Sequence, residues 1–314
     1  MRIADFTADY ALQAAQIAKQ NYGEERLHVP ALPPVDFVPD LTPLAKNGLG
    51  VAAFEGDAML GFLCAAGPFA NAFGSAGVDG LFSPMGANGA AGGDRARVYA
   101  RMYQAAGEKW VRAGASSHAV CLYAHDKEAL EQFFRYGFGL RCIDAIRPTD
   151  GAVPSQCEGY TFSELTTEDM SEIYRLKKRL DAGYLDSPFF MLRKTESEAE
   201  FLSAAARCRP VCFAARYRGQ AVAFIRAELD GETFIKDTPG YIHCNSLYCL
   251  PEHRGGGVSQ RLLYMLMQKL REQGYTRLGV DFESINPSGS GFWLKYFGAY
   301  THSLIRRVDE GALK

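Results

Sequence analysis

Three consecutive glycines, Gly255-Gly256-Gly257, stand between an apolar run that ends at Leu250-Pro251 and a run of helical apolar spacing that opens at Val258. Glycine turns tightly and lets a ligand approach the backbone with no Cβ in the way. The first N–H groups of a helix have no acceptor within it, and the positive end of its dipole faces the same way. A junction of this kind is an anion site suited to a pyrophosphate. Arg254 and Arg261 add positive charge beside it. The helix does not open with Gly-Lys-Ser/Thr, so this is not the phosphate loop of nucleotide hydrolases. The dinucleotide-binding GxGxxG would want an acid ~20 positions on, at the tip of the next strand, and Glu283 lies farther than that.

The elements that must hold this loop occur twice. A hairpin turn near Glu55-Gly56-Asp57 joins the runs Gly50–Phe54 and Ala58–Ala65; another near Arg218-Gly219-Gln220 joins Pro210–Tyr217 and Ala221–Leu229. Each is followed by a strand (Val78–Phe82; Tyr241–Leu250), a glycine-rich loop (Gly86–Gly93; Gly255–Gly257) and a long helix (Asp94–Ala113; Val258–Gln273). A strand (Ser117–Ala124; Thr276–Glu283), a short aromatic helix (Leu130–Tyr136; Ser290–Phe297) and a last strand (Phe138–Arg147; Ala299–Val308) complete each half. Leu262, Leu263, Leu266, Met267 and Leu270 lie on one helical face. Thr195-Glu196-Ser197-Glu198 reads as a capping box opening a helix to about Ala206. A repeat of ~150 residues indicates two similar domains rather than a solenoid, whose periods run ~20–50. The expected division is 1–150, a linker at 151–157, and 158–314.

The segment Pro251-x-x-Arg254-Gly-x-Gly257-Val258-Ser259-x-x-Leu262-Leu263 resembles the acetyl-CoA loop of the GNAT acyltransferases, usually R/Q-x-x-G-x-G/A. Arg254, Gly257 and Ser259 stand at its three positions. Asn286-Pro287-Ser288-Gly289-Ser290 and Phe292-Trp293-Leu294-Lys295-Tyr296-Phe297-Gly298 resemble the family's later Asn-x-x-Ala and Tyr-x-Lys-x-Gly-Phe segments. The resemblance covers about 158–310. The first half is similar more faintly. Asp126-Lys127-Glu128-Ala129 with Phe133, Arg135, Gly137 and Phe138 follows the family's second segment. The loop 83–94 lacks the glycine register and ends in Asp94, which is expected to cap the following helix itself and to repel a pyrophosphate there.

The resemblance implies a tandem GNAT fold, an α/β (α+β) class with a mixed sheet and helices on both faces. It implies acetyl-CoA as co-substrate and transfer of the acetyl group to a primary amine of a small acceptor by direct attack, in the second half. Two central strands splay apart in this family and the pantetheine chain inserts between them. Leu247, Tyr248 and Cys249 would then face the acetyl and pantetheine parts. Arg254, Gly255, Gly256, Gly257, Val258, Ser259 and Gln260 would hold the pyrophosphate, and Asn286 and Ser290 the pantetheine arm. No covalent enzyme intermediate is usual, so Cys249 is expected to be a strand residue.

An alkylammonium must lose a proton to attack, so a base should be near. The strand before the loop, Tyr241 to Leu247, has no carboxylate, and His243 is its one base near neutral pH. His243 is either that base or a structural histidine. Glu283 could relay a proton or bind the ammonium. The family's thiolate-protonating tyrosine aligns with Leu294, which leaves Tyr296 as the nearest phenol. The run Arg175, Lys177, Lys178, Arg179 is a solvated helix face or contacts an acidic group. Two alternatives remain: a non-catalytic acyl-CoA binder, or transfer of a longer acyl or aminoacyl group.

The 34 basic and 36 acidic side chains leave a net charge of −2, which disfavours nucleic acid as a partner. Apolar residues at 47% and charged ones at 22% are ordinary for a globular chain. No apolar stretch reaches the ~18–20 residues that span a bilayer, so no membrane partner is expected. The opening residues read as no secretory signal, and the expectation is a cytoplasmic monomer or homodimer. Eight cysteines without Cys-x-x-Cys spacing read as reduced, buried thiols, and six scattered histidines suggest no metal site.

Overall fold

The computed structural model describes residues 1–151, 157–193 and 195–313. They form a mixed α/β fold in two units. One holds Met1–Asp144, Phe282–Ser284 and the segment from Ala299 on; the other holds the described parts of Ala145–Asp281 and Ile285–Gly298. Of the expected linker, Gly151 and Cys157 are described and 152–156 lie outside the described residues.

The first unit contains β1 (Arg2–Asp5), α1 (Ala11–His28), α2 (Thr42–Lys46), β2 (Val51–Glu55), β3 (Ala58–Leu63), β4 (Ala66–Phe69), β5 (Gly80–Ser83), β6 (Asn88–Ala90), α3 (Arg95–Arg112), β7 (Ser117–Tyr123), α4 (Lys127–Arg135) and the first part of β8 (Gly139–Pro148). One antiparallel sheet has the order β1-β2-β3-β6. A second group pairs β4 with β5 antiparallel and β5 with β7 in parallel. α3 turns Val98, Tyr99, Met102, Tyr103, Ala106 and Trp110 inward at three- and four-residue spacing. Trp110 is fully buried, and its indole N–H donates to the Leu49 carbonyl at 3.0 Å.

The second unit contains β9 (Tyr160–Leu165), α5 (Ser171–Ala182), α6 (Glu198–Cys208), β10 (Val211–Tyr217), β11 (Gln220–Glu228), β12 (Tyr241–Cys249), α7 (Val258–Glu272), most of β13 (Arg277–Glu283) and α8 (Pro287–Tyr296). Its strands run β9-β10-β11-β12-β13, antiparallel except for the parallel β12–β13 pair. The apolar face read from the sequence is the buried face of α7: Leu262, Leu263, Leu266, Met267 and Leu270, with Val258.

Several expectations shift. The last strand, β14 (Gly298–Arg307), is expected with the second half but pairs antiparallel with β7, Thr301 opposite Tyr123 through Arg307 opposite Ser117. It therefore belongs from Ala299 on to the first unit. The capping box is two residues later than read. Ser197 is the N-cap and Glu200 its partner, and α6 starts at Glu198. The segment before it, Ser187–Arg193, is irregular, with Phe190 at φ 50°. The glycine-rich stretch 86–93 is not a bare loop, because Asn88–Ala90 forms β6 against β3. Not all of the cysteines are buried: Cys208 is exposed and Cys142 and Cys157 half-buried.

Candidate functional site

The parallel ladder between β12 and β13 is short. It pairs Tyr241 with Arg277 through Cys244 with Val280, and both strands continue beyond it. On the other side of β12 the register with β11 slips: Arg226 faces Ser246 while Ala227 faces Cys244, so Asn245 is a bulge residue. The two effects coincide. The bulge at Asn245 directly follows the last β12–β13 pair, Cys244 with Val280, and beyond it a slot runs between the unpaired strands. Asn245 is exposed, and Ser246, Leu247 and Tyr248 are half-exposed in a strand whose first four residues are buried. A slot of this kind offers backbone N–H and C=O groups that no neighbouring strand uses.

The strand then runs into the glycines. Pro251–His253 makes one 3-10 turn, Arg254 is extended, and Gly255 and Gly257 take φ 80° and 87°. Those are left-handed values that favour glycine. A Cβ on Gly255 or Gly256 would meet nothing within 4 Å, so the loop stands clear of the body. Gly257 is the N-cap of α7, and no side chain caps that helix among the described residues. The Arg254 Nε donates to the Cys249 carbonyl at 2.9 Å, and its guanidinium lies 5.8 Å from the Tyr248 ring centre. Uncapped N–H groups, the helix dipole and a tethered arginine together make an anion cradle.

Below the bulge lies a buried polar line. His243 is 3% exposed, with Tyr241 Oη 2.8 Å from its Nδ1 and Asp281 Oδ1 2.7 Å from its Nε2. Each proton has an acceptor when Tyr241 donates to Nδ1 and the Nε2–H donates to the carboxylate. Gly279 makes room for this line: a Cβ there would collide with the Tyr241 hydroxyl. Asp281 stands one residue beyond the last β12–β13 pair, and its side chain is 32% exposed. A carboxylate oxygen of Glu232 lies within 4.8 Å of one of Asp281. The exposed end of the line is thus a pair of carboxylates, which can receive a cation and accept a proton.

Residues 172–299 match the family described as "Acetyltransferase (GNAT) family". The chain carries a GNAT domain. A comparison with curated protein sequences finds no match. Among solved structures, a GCN5-related N-acetyltransferase from Sphaerobacter thermophilus is similar at 12% identity and a TM-score of 0.59, covering 98% of this chain and 95% of that one. That likeness shows the fold. A glucosamine N-acetyltransferase region of a fungal multi-domain β-N-acetylglucosaminidase is similar at 13% identity and a TM-score of 0.50, covering 97% of this chain and 38% of that one. A tandem GNAT protein of the clavulanic acid pathway is similar at 12% identity and a TM-score of 0.47, covering 98% of both chains.

Most residues expected at the site of the GNAT domain lie along β12, the glycine loop and the start of α7. Asn286 caps α8, accepting from the Gly289 N–H at 2.9 Å, and Ser290 follows in that helix's first turn. Cys249 is buried, and burial pushes its thiol up to about 11, which fits a strand residue and not a nucleophile. The expected carboxylate, Glu283, is engaged elsewhere: Arg141 Nε donates to it at 2.5 Å within the first unit. Tyr296 closes α8, packed on Phe292 at 5.2 Å between ring centres, with the Lys295 ammonium 5.4 Å from its own. No motif in the sequence marks Asp281. Only its contact with His243 across the strand pair marks it.

The corresponding place in the first unit is filled. β5 pairs with β7 and β6 with β3, so the break between them is Pro84–Ala87, of which Met85, Gly86 and Ala87 are buried. The Asn88 amide then donates to the Cys121 carbonyl and the Ser83 hydroxyl, both at 3.0 Å, and accepts from the Tyr99 hydroxyl. The α3 N-terminus is capped by the Asp94 side chain, as the sequence predicts. Arg95 beside it is held by Glu24 at 2.5 Å and Asp126 at 3.3 Å.

Among the described residues, no helix is long and apolar enough to cross a membrane.

Proposed function

We propose that the second unit binds one acetyl-CoA per chain and transfers its acetyl group to a primary amine of a small acceptor by direct attack. The observation that carries this reading is the coincidence at Asn245. The bulge and the end of the β12–β13 ladder open a slot that leads straight into the uncapped glycine end of α7. When bound, acetyl-CoA supplies the activated thioester carbonyl. The N–H groups at Gly257, Val258, Ser259 and Gln260 would hold its pyrophosphate, with Arg254 beside them. The half-exposed backbone of Leu247 and Tyr248 would pair with the pantetheine arm, with Asn286 and Ser290 near it.

The chain's own part in the chemistry is to receive a cation and take its proton. Asp281, with Glu232 near it, offers negative charge to an ammonium, and the Asp281 carboxylate receives the proton the amine sheds. His243 and Tyr241 hold that carboxylate in one orientation. This makes Asp281 the base and His243 a positioning residue, a change from the expectation for His243. Glu283, tied to Arg141, and Tyr296, at the far end of α8, take no part in this scheme.

The test is release of free CoA thiol from acetyl-CoA against a panel of primary amines. The reading expects amine-dependent release that is lost in Asp281→Asn. Tight acetyl-CoA binding with no turnover on any amine would favour a non-catalytic binder instead.

A further inference from the structure

A cavity of about 350 Å³ lies on the side of β12 away from the slot, where the β10–β11 turn meets the residues just before the glycine loop. Arg175 and Arg179 reach it from α5, Arg218 from the turn, and His253 from the 3-10 turn after β12. Glu252 is the one acid in its wall.

Of the other charges on α5, Lys177 binds Asp181 at 2.6 Å, Glu172 binds Arg216 at 2.5 Å, and Lys178 lies 5.8 Å from the Tyr174 ring centre. Arg175 and Arg179, at i and i+4, meet no carboxylate among the described residues. Arg175 donates only to the Ala221 carbonyl, at 3.4 Å. Arg218 lies 5.2 Å from the Tyr217 ring centre and likewise has no acid partner. Like charges one turn apart disfavour a helix, and an anion between them removes that repulsion. His253 is set in place by the Tyr160 hydroxyl, 2.9 Å from Nδ1, and by the rings of Tyr160 and Tyr217, 5.6 and 5.2 Å between ring centres. That leaves Nε2 as its remaining polar atom. Three guanidinium forks and an imidazole around one cavity match the several oxygens of a phosphate or carboxylate group.

We infer that this cavity is an anion site for a phosphate-bearing or carboxylate-bearing small molecule, separate from the glycine cradle. The phosphate test of the site is independent of the acetyltransferase reading, while the naming of its source rests on that reading. The anion could come from two sources: the ribose 3′-phosphate of CoA or an acidic acceptor.

The first probe is inorganic phosphate, titrated at constant ionic strength against sodium chloride. It is followed by the NMR signal of the His253 imidazole, assigned by its loss in His253→Gln. The expected result is a saturable shift with phosphate, weakened at least tenfold in Arg179→Gln/Arg218→Gln. Both arginines are exposed, so the variant should melt like the wild type. No saturable shift, or one the double variant leaves unchanged, overturns the site. The affinities of CoA and 3′-dephospho-CoA then name the source. A preference for CoA that disappears in the double variant assigns the anion to the cofactor. A preference the variant leaves untouched, with phosphate binding lost, assigns it to the acceptor.

Discussion

Two strands in this molecule break at comparable places, and the breaks end differently. In the second unit the break is the single residue Asn245, exposed, with half-exposed strand beyond it and an uncapped helix after the glycines. In the first unit it is Pro84–Ala87, mostly buried. The Asn88 amide ties the following strand to β5 and β7, and the next helix is capped by Asp94. One arrangement leaves backbone groups and a helix dipole to a ligand; the other spends them within the protein. The same order of strands and helices can therefore build a binding slot or a filled core. The difference lies in a few residues at the break and at the first turn of the helix.

The largest expected effect tests the working end of the open slot. Asp281→Asn should lower kcat by ~10²–10⁴-fold with acetyl-CoA affinity nearly unchanged, because it removes the proton acceptor and nothing on the cofactor side. His243→Gln should cost less, and should shift the pH profile of kcat, since it only frees the carboxylate to turn. Equal losses in both variants would make the histidine the base.

A pH effect sharpens the other side of the comparison. His118, in the filled unit, is pulled down to about 4 by burial, which outweighs the bond its ring makes to the Ala115 carbonyl. Above pH 6.5 the imidazole is neutral in folded and unfolded chains alike, and the folded state bears no penalty. As pH falls from 6.5 to about 4, the unfolded chain takes up a proton that the folded one refuses, so stability falls, by about 3 kcal/mol at the lower limit. His302, lowered by burial, adds in the same direction. His125 opposes it. Burial pulls His125 down, but the Glu25 carboxylate outweighs burial and raises it, so its contribution is present below pH 6.5 and fades as pH rises. Denaturant melts of wild type and His118→Gln between pH 7 and 4 should converge as pH falls. Parallel curves would remove His118 from the account.

A smaller loss is expected from opening the filled break. Asn88→Ala leaves the Tyr99 hydroxyl and Cys121 carbonyl without that partner and should destabilise the chain by ~1–3 kcal/mol in urea unfolding. It should not create a second acetyl-CoA site, because Asp94, Glu24 and Asp126 still crowd the helix end. A second site in that variant would show that Asn88 alone closes the slot.

What could be read from the sequence was local. The apolar face of α7, the glycine junction and the Asp94 cap each depend on residues within one or two turns of each other, and the structure has them where their spacing puts them. What could not be read depends on partners far along the chain. β14 follows the second set of elements in order, yet its pairing is decided by β7, more than 170 residues earlier. Asp281 looks like any polar residue in a strand until β12 brings His243 beside it. Glu283 looks like a candidate base until Arg141, from the other half of the sequence, is seen to hold it. The misplaced capping box has another cause. Thr195 to Glu200 contains two overlapping matches to one pattern, and only the backbone distinguishes them.

The most direct measurement is calorimetric titration of acetyl-CoA into the wild type and Ser259→Glu. A glutamate in the first turn suits the helix dipole, so the variant should fold as well as the wild type while repelling a pyrophosphate. The account predicts one site per chain in the wild type, weakened at least tenfold or lost in the variant with its melting temperature intact. Two sites per chain, or one that survives in Ser259→Glu, would contradict it.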